Sequence, residues 1–130
     1  MAIRAMNHFT VLAEDLDTTQ SFYCDLLGLT VGPRPPLSFP GLWLYAGDAA
    51  VLHVIGGRAL PGQRSGVIDH MAFTAEGLVD IVAALQTRSI KFSLRRVPGE
   101  GSWQLFCRDP NGAMVELDFS AQEPAPVGHE

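Results

Sequence analysis

Apolar and polar positions along the chain fall into two blocks with the same internal order. Residues 6–12 form a short apolar run rich in strand formers. In residues 18–27, Phe22, Tyr23, Leu26 and Leu27 recur at helical spacing, with Asp15 or Asp17 ahead as a cap and Gly28 as a stop. Residues 29–31 restart as a strand, Pro33, Pro35 and Pro36 interrupt regular structure, and Pro40-Gly41 closes the loop. Residues 42–45 and 50–55 then predict a hairpin across Gly47-Asp48. The block reads β-α-β-β-β. A stretch containing Gly56, Gly57, Pro61 and Gly66 separates it from a second block of the same order. There, residues 67–74 predict a strand, and residues 77–88 a helix with Leu78, Ile81, Val82 and Leu85 on one face. Residues 91–97 predict a further strand, and residues 103–107 and 113–119 a hairpin across Asp109-Pro110-Asn111-Gly112.

The repeat extends to individual residues. Asn7-His8-Phe9-Thr10 answers Asp69-His70-Met71-Ala72, and Ala13, Glu14 and Leu16 answer Ala75, Glu76 and Leu78, all at the spacing of positions 8 and 70. Ala50-Val51-Leu52-His53-Val54 answers Ala113-Met114-Val115-Glu116-Leu117 at one residue more. The predicted fold is therefore α+β, two β-α-β-β-β modules whose strands make a curved mixed sheet. Module one spans residues 4–56, the linker 57–66, module two 67–119 and an aperiodic tail 120–130, all within one domain of 1–130. The tail, which holds His129, reads as a frayed end.

Composition narrows the function. With 47% apolar residues, 130 residues suffice for a compact core. A net charge of −5 without any basic run makes nucleic acid and anionic membranes poor partners. No apolar stretch reaches the length of a membrane span, no signal-like segment opens the chain, and Cys24 and Cys107 follow no metal or redox spacing, so a cytoplasmic protein with two reduced thiols is expected.

The chemistry lies in His8, His53, His70 and Glu116, four ligand-type residues at matching points of the repeat and each within an apolar run. A buried carboxylate such as Glu116 costs several kcal/mol, about 3 or more, unless it is paired or bound to a cation. Duplication places equivalent residues about a pseudo-two-fold axis, where they can converge on a cleft. His, His and Glu form the facial set that holds a divalent transition metal with open positions, and Fe, Mn, Ni or Zn all suit it. Glu14 and Glu76 read as helix N-terminal charges. Trp43, Tyr45, Gln104 and Phe106 lie on strands that should line the cleft. Leu37 and Phe39 offer an apolar lid, and Arg58 and Arg64 lie in the linker.

The duplicated order, the leading Asn-His-Phe-Thr-Val, the helix end Phe22-Tyr23-Cys24-Asp25-Leu26-Leu27-Gly28-Leu29 and the closing run from Phe106 through Asp109-Pro110-Asn111-Gly112 to Leu117 together resemble the vicinal oxygen chelate superfamily. This is the glyoxalase, bleomycin-resistance and extradiol-dioxygenase group. The resemblance covers residues 4–119. It implies two half-barrel modules around a metal cleft, His8, His70 and Glu116 as metal ligands, and a homodimer. It also implies a small-molecule substrate chelated through adjacent oxygens, turned over by lyase or isomerase chemistry or by ring-cleaving dioxygenation. His53 stands where glyoxalase I relatives carry a second glutamate. It is expected in the cleft as the catalytic base, the alternatives being a fourth metal ligand, a hydrogen-bond partner of a substrate oxygen or a strand histidine turned away. Gln104 and Phe106 are expected to touch substrate. The rival expectation is an antibiotic-resistance protein, either a drug-sequestering binder or a metal-dependent thiol transferase. A two-residue turn at Gly47-Asp48 would pair Leu42 with His53, and a bulge would change that register.

Overall fold

The computed structural model describes all 130 residues, which divide into two compact units, Met1–Gly62 and Gln63–Glu130. The boundary falls inside the expected linker. Each unit builds one open, four-stranded mixed sheet, and both sheets have the same order.

In the first unit, β1 (Phe9–Leu12) leads into α1 (Leu16–Gln20), which continues without a break as a π-helical segment, Ser21–Leu26. Strands β2 (Thr30–Gly32), β3 (Gly41–Ala46) and β4 (Ala49–Ile55) follow, in the spatial order β1-β4-β3-β2 with β1 parallel to β4. Asp15, not Glu14, caps α1, its Oδ1 accepting from the backbone N–H groups of Asp17 and Thr18 at 2.9 and 3.3 Å. Within the wider turns, the Leu27 N–H reaches back five residues to the Phe22 carbonyl. Gly28, at φ +86°, reverses the chain where a side chain would be strained. Val11, Leu44, Leu52 and Val54 are buried on one face of this sheet, and Phe22, Tyr23 and Leu26 are buried with them. Each such leucine contributes about 2 kcal/mol by leaving water.

The second unit repeats the pattern with β5 (Met71–Thr74), α2 (Leu78–Thr87), β6 (Phe92–Arg96), β7 (Trp103–Arg108) and β8 (Met114–Phe119), in the order β5-β8-β7-β6. Leu78, Val82 and Leu85 recur at helical spacing and are fully or nearly fully buried, as are Leu105, Val115, Leu117 and Phe119 of the sheet. The α2 N-terminus departs from expectation. Glu76 does not serve it. Instead Glu123, from the segment expected to fray, accepts from the Gly77 and Leu78 N–H groups at 2.9 and 3.0 Å with its two carboxylate oxygens. Trp103 Nε1 donates to the Glu123 carbonyl, and Arg96 to that of Ala121. The tail is thus tied to the sheet and helix at residues 121–123, with Glu123 satisfying orphan donors at the start of α2.

The β3–β4 hairpin resolves the register at His53. Ala46 opposes Ala49 across the tight turn, yet Leu44 opposes Leu52 and Trp43 opposes His53. The extra residue is accommodated in β4 between Ala49 and Leu52, a bulge that puts Trp43 rather than Leu42 beside His53.

Candidate functional site

Strand alternation assigns faces. In the first unit Thr10, His53 and Trp43 are mutual neighbours across three strands, on the face opposite the buried Leu52 and Val54. In the second unit Ala72, Glu116 and Phe106 hold the corresponding places, opposite the buried Val115 and Leu117. His53 and Glu116 therefore occupy equivalent positions in the two sheets. His8 and His70 do not lie inside strands as expected. Each sits one residue ahead of β1 or β5, where pairing has not begun.

Within the first unit three rings stack. His53 lies on Trp43 with centroids 3.9 Å apart and on His8 with centroids 3.6 Å apart. Burial first, and the neighbouring His8 charge second, lower the His53 pKa from 6.5 against a hydrogen bond to the Ala50 backbone. That bond occupies one ring nitrogen and comes from the bulged stretch of β4. The other nitrogen keeps its lone pair.

Within the second unit His70 Nε2 stands 3.0 Å from Glu116 Oε1, and His70 Nδ1 2.9 Å from Asp69 Oδ2. His8 repeats half of this arrangement, its Nδ1 lying 2.7 Å from Asn7 Oδ1. Both histidines thus commit Nδ1 to the residue just before them, the kind of partner that orients a metal-ligating imidazole, and His70 presents Nε2 to Glu116. Neither Asn7 nor Asp69 was singled out from the sequence, although the doubled Asn-His and Asp-His pairs were a visible signal. Glu116 is buried, and its Oε2 accepts from Gln104 Nε2 at 3.3 Å, while Arg95 Nε donates to Gln104 Oε1 at 2.9 Å. Burial, then a hydrogen bond with and repulsion from Asp118, raise the Glu116 carboxyl above its ordinary value, opposed by His70 and Gln104. Asp118 Oδ1 is buried without a hydrogen-bond partner. Within the second unit, the His70 imidazole, the buried Glu116 carboxylate and the orphaned Asp118 oxygen are donor types that suit a divalent cation. Within neither unit do three or more His, Cys, Asp or Glu side chains gather as a metal-binding group.

The remaining candidates have local tasks. Phe106 meets His70 edge-on with centroids 5.6 Å apart. Gln104 is held between Arg95 and Glu116. Arg64 donates to the Asn111 carbonyl at 3.0 Å and packs under Gly112. Arg34 donates to the Phe39 carbonyl and lies over the Phe39 ring, so that half of the expected lid is pinned, while Leu37 stays exposed. Arg58 is exposed. Cys24 and Cys107 are free, and burial pushes the Cys107 thiol up to about 11. No helix is long and apolar enough to cross a membrane.

The family model of the Glyoxalase/Bleomycin resistance protein/Dioxygenase superfamily matches residues 5–117. The chain belongs to this superfamily. It is 29% identical over 124 residues to Glyoxylase I 4 of Arabidopsis thaliana, covering 88% of this chain and 70% of that protein. Among solved structures, a glyoxalase family protein from Bacillus anthracis superposes with a TM-score of 0.73 at 18% identity, over 92% of this chain and 98% of that one. Lactoylglutathione lyase from Agrobacterium tumefaciens superposes with a TM-score of 0.64 at 25% identity, over 93% and 97%. The α+β fold of two β-α-β-β-β modules expected from the repeat is thereby established, with each module forming a four-stranded mixed sheet of its own.

Proposed function

We propose that the chain is a metal-dependent lyase or isomerase of this superfamily that binds a small substrate through adjacent oxygens. His8, His70 and Glu116 are the metal ligands. The observation that carries the reading is the committed Nδ1 of both histidines together with the buried Glu116 beside His70 Nε2. Such a metal supplies Lewis acidity to the substrate oxygens. The likeness to a lactoylglutathione lyase and to Glyoxylase I 4 supports proton-transfer chemistry.

His53 is the base. Its lowered pKa keeps the imidazole neutral at pH 7, one nitrogen is fixed on the Ala50 backbone, and the other takes the carbon-bound proton. Stacking between Trp43 and His8 holds the ring against rotation. Gln104 keeps Glu116 Oε2 in place. The His-His-carboxylate set is also that of non-haem iron oxygenases, which favours ring-cleaving dioxygenation as the second reading. Exposed Met6 and Ile68, ahead of the sheet-edge strands β1 and β5, support assembly as a homodimer, and the free thiols support a reducing, cytoplasmic setting.

The test is metal analysis of wild type, His70→Ala and Glu116→Ala. Turnover of 2-oxoaldehyde hemithioacetals and oxygen consumption with catechols are assayed alongside. Stoichiometric metal in wild type, lost in both variants, is expected. Unchanged metal content in both variants overturns the ligand assignment, and oxygen consumption with catechols replaces the lyase reading with the dioxygenase one.

A further inference from the structure

On the Glu116 face of the second sheet, alternation along β6 and the residue before it brings Lys91, Ser93 and Arg95 to the same side as Phe106 and Gln104 of β7. Beside them a cavity of about 460 Å³ opens against the sheet edge. Its wall is apolar at Ile90, Phe92, Phe106 and Met114, and cationic at Lys91 and Arg108. Arg108 spends one N–H on the Gly112 carbonyl at 2.8 Å, and neither cation is paired with a carboxylate. Two unpaired cations at one apolar cavity are notable on a chain of net charge −5. Phe106 belongs to this wall and also meets His70 edge-on, so the cavity begins where the His70–Glu116 pair ends.

We propose that this cavity is the substrate's recognition site, and that it takes an apolar or aryl body ending in a carboxylate. The body lies along Phe106 and Met114, and the carboxylate reaches Lys91 and Arg108. The inference rests on the reading of His70 and Glu116 as the chemical centre. Strand β6 stands two spacings from β8, which sets the carboxylate roughly 10 Å from the oxygens that meet the metal ligands. The substrate is therefore two-headed, with adjacent oxygens at one end and an anion at the other. A carboxylate accepts charge-assisted hydrogen bonds from both cations, which a neutral amide cannot match.

The experiment uses metal-free protein, so that it does not depend on the metal reading. 3-Phenylpropionate and its neutral amide, 3-phenylpropionamide, are titrated while the Met114 methyl and Phe106 ring signals are followed by NMR. The acid is expected to shift both signals and to bind about tenfold more tightly than the amide, the effect of a charged hydrogen-bonded contact. In the Lys91→Ala/Arg108→Ala double variant the two probes should bind alike, while His70→Ala should keep the wild-type preference. Equal binding of acid and amide by wild type, no shift of either signal, or a preference that survives in the double variant overturns the proposal. Metal content that is unchanged in His70→Ala and Glu116→Ala, together with an intact acid preference, removes the metal assignment and leaves the cavity's specificity standing.

Discussion

His53 lies flat against Trp43, with ring centroids 3.9 Å apart and only 11° between the planes. Both faces of the imidazole are covered, by Trp43 and by His8, so it can act only through its edge. His53→Ala should lower turnover by about a hundredfold, the share of a positioned general base, with metal content unchanged because the His-His-Glu set is intact. Trp43→Ala should cost less, and it should shift the acidic limb of the pH–rate profile upward. Desolvation is the main cause of the lowered His53 pKa, so removing the indole lets that pKa return toward 6.5 and the neutral base is lost at higher pH. Steady-state kinetics of both variants check this. Profiles indistinguishable from wild type would remove His53 from the chemistry.

Asp69 and Asn7 do the same work at the two histidines, yet one is charged and the other neutral. Replacing Asp69 with alanine should weaken metal affinity by about 10- to 100-fold, the usual effect of removing an outer partner of a ligating imidazole. Asp69→Asn should retain most of the affinity, since Asn7 already performs this role at His8. Competition against a chelator of known affinity measures both. Equal affinity in wild type and Asp69→Ala would show that orientation of His70 does not depend on Asp69.

The repeat made the architecture legible. Equivalent hydrophobic runs fixed the element order of both units to within a few residues. The pairing of His53 with Glu116 as repeat partners held because strand period and topology are shared. The sequence did not reveal where pairing starts. His8 and His70 sit inside apolar runs but one residue outside the strands, since a ladder begins only where the partner strand offers its groups. Nor did it reveal the β4 bulge, because one extra residue in a hairpin leaves no mark on composition. The Glu123 cap was hidden for a different reason. It joins residues far apart in the chain, while capping is read locally.

Glu123 satisfies two orphan N–H groups at the start of α2, and its own carbonyl receives Trp103 Nε1. Gly77, at the cap position, has no side chain to do this work. Glu123→Ala should therefore destabilise the protein by about 0.5–2 kcal/mol, as for loss of a capping side chain. The backbone contact from Trp103 survives, so the fold should be retained. Urea unfolding followed by circular dichroism gives the difference. A truncation after Ala121 should cost more, because it also removes the Trp103 acceptor. Unaltered midpoints in both would mean that the tail contacts are lost in solution.

His70 joins two carboxylates through its two ring nitrogens, at 2.9 Å to Asp69 and 3.0 Å to Glu116. The hydrogen bond with Asp69 is the main cause that raises its pKa above 6.5, with the Glu116 charge adding to it against desolvation. The folded metal-free protein thus holds a proton that the unfolded chain releases first. That contribution is complete below pH 6.5 and is lost as pH rises through the folded pKa. Glu116 acts in the same direction, since its raised carboxyl also favours the protonated folded state and loses that advantage as pH rises. With chelator present, the stability difference between wild type and His70→Ala should shrink as pH rises from below 6.5 through the raised folded pKa. Adding a divalent metal should reverse the trend, because Nε2 and Glu116 must then be deprotonated and metal competes with the proton between them. A wild-type difference that is flat with pH in chelator would show that no proton is held there. A flat response after metal addition would show that the metal binds elsewhere.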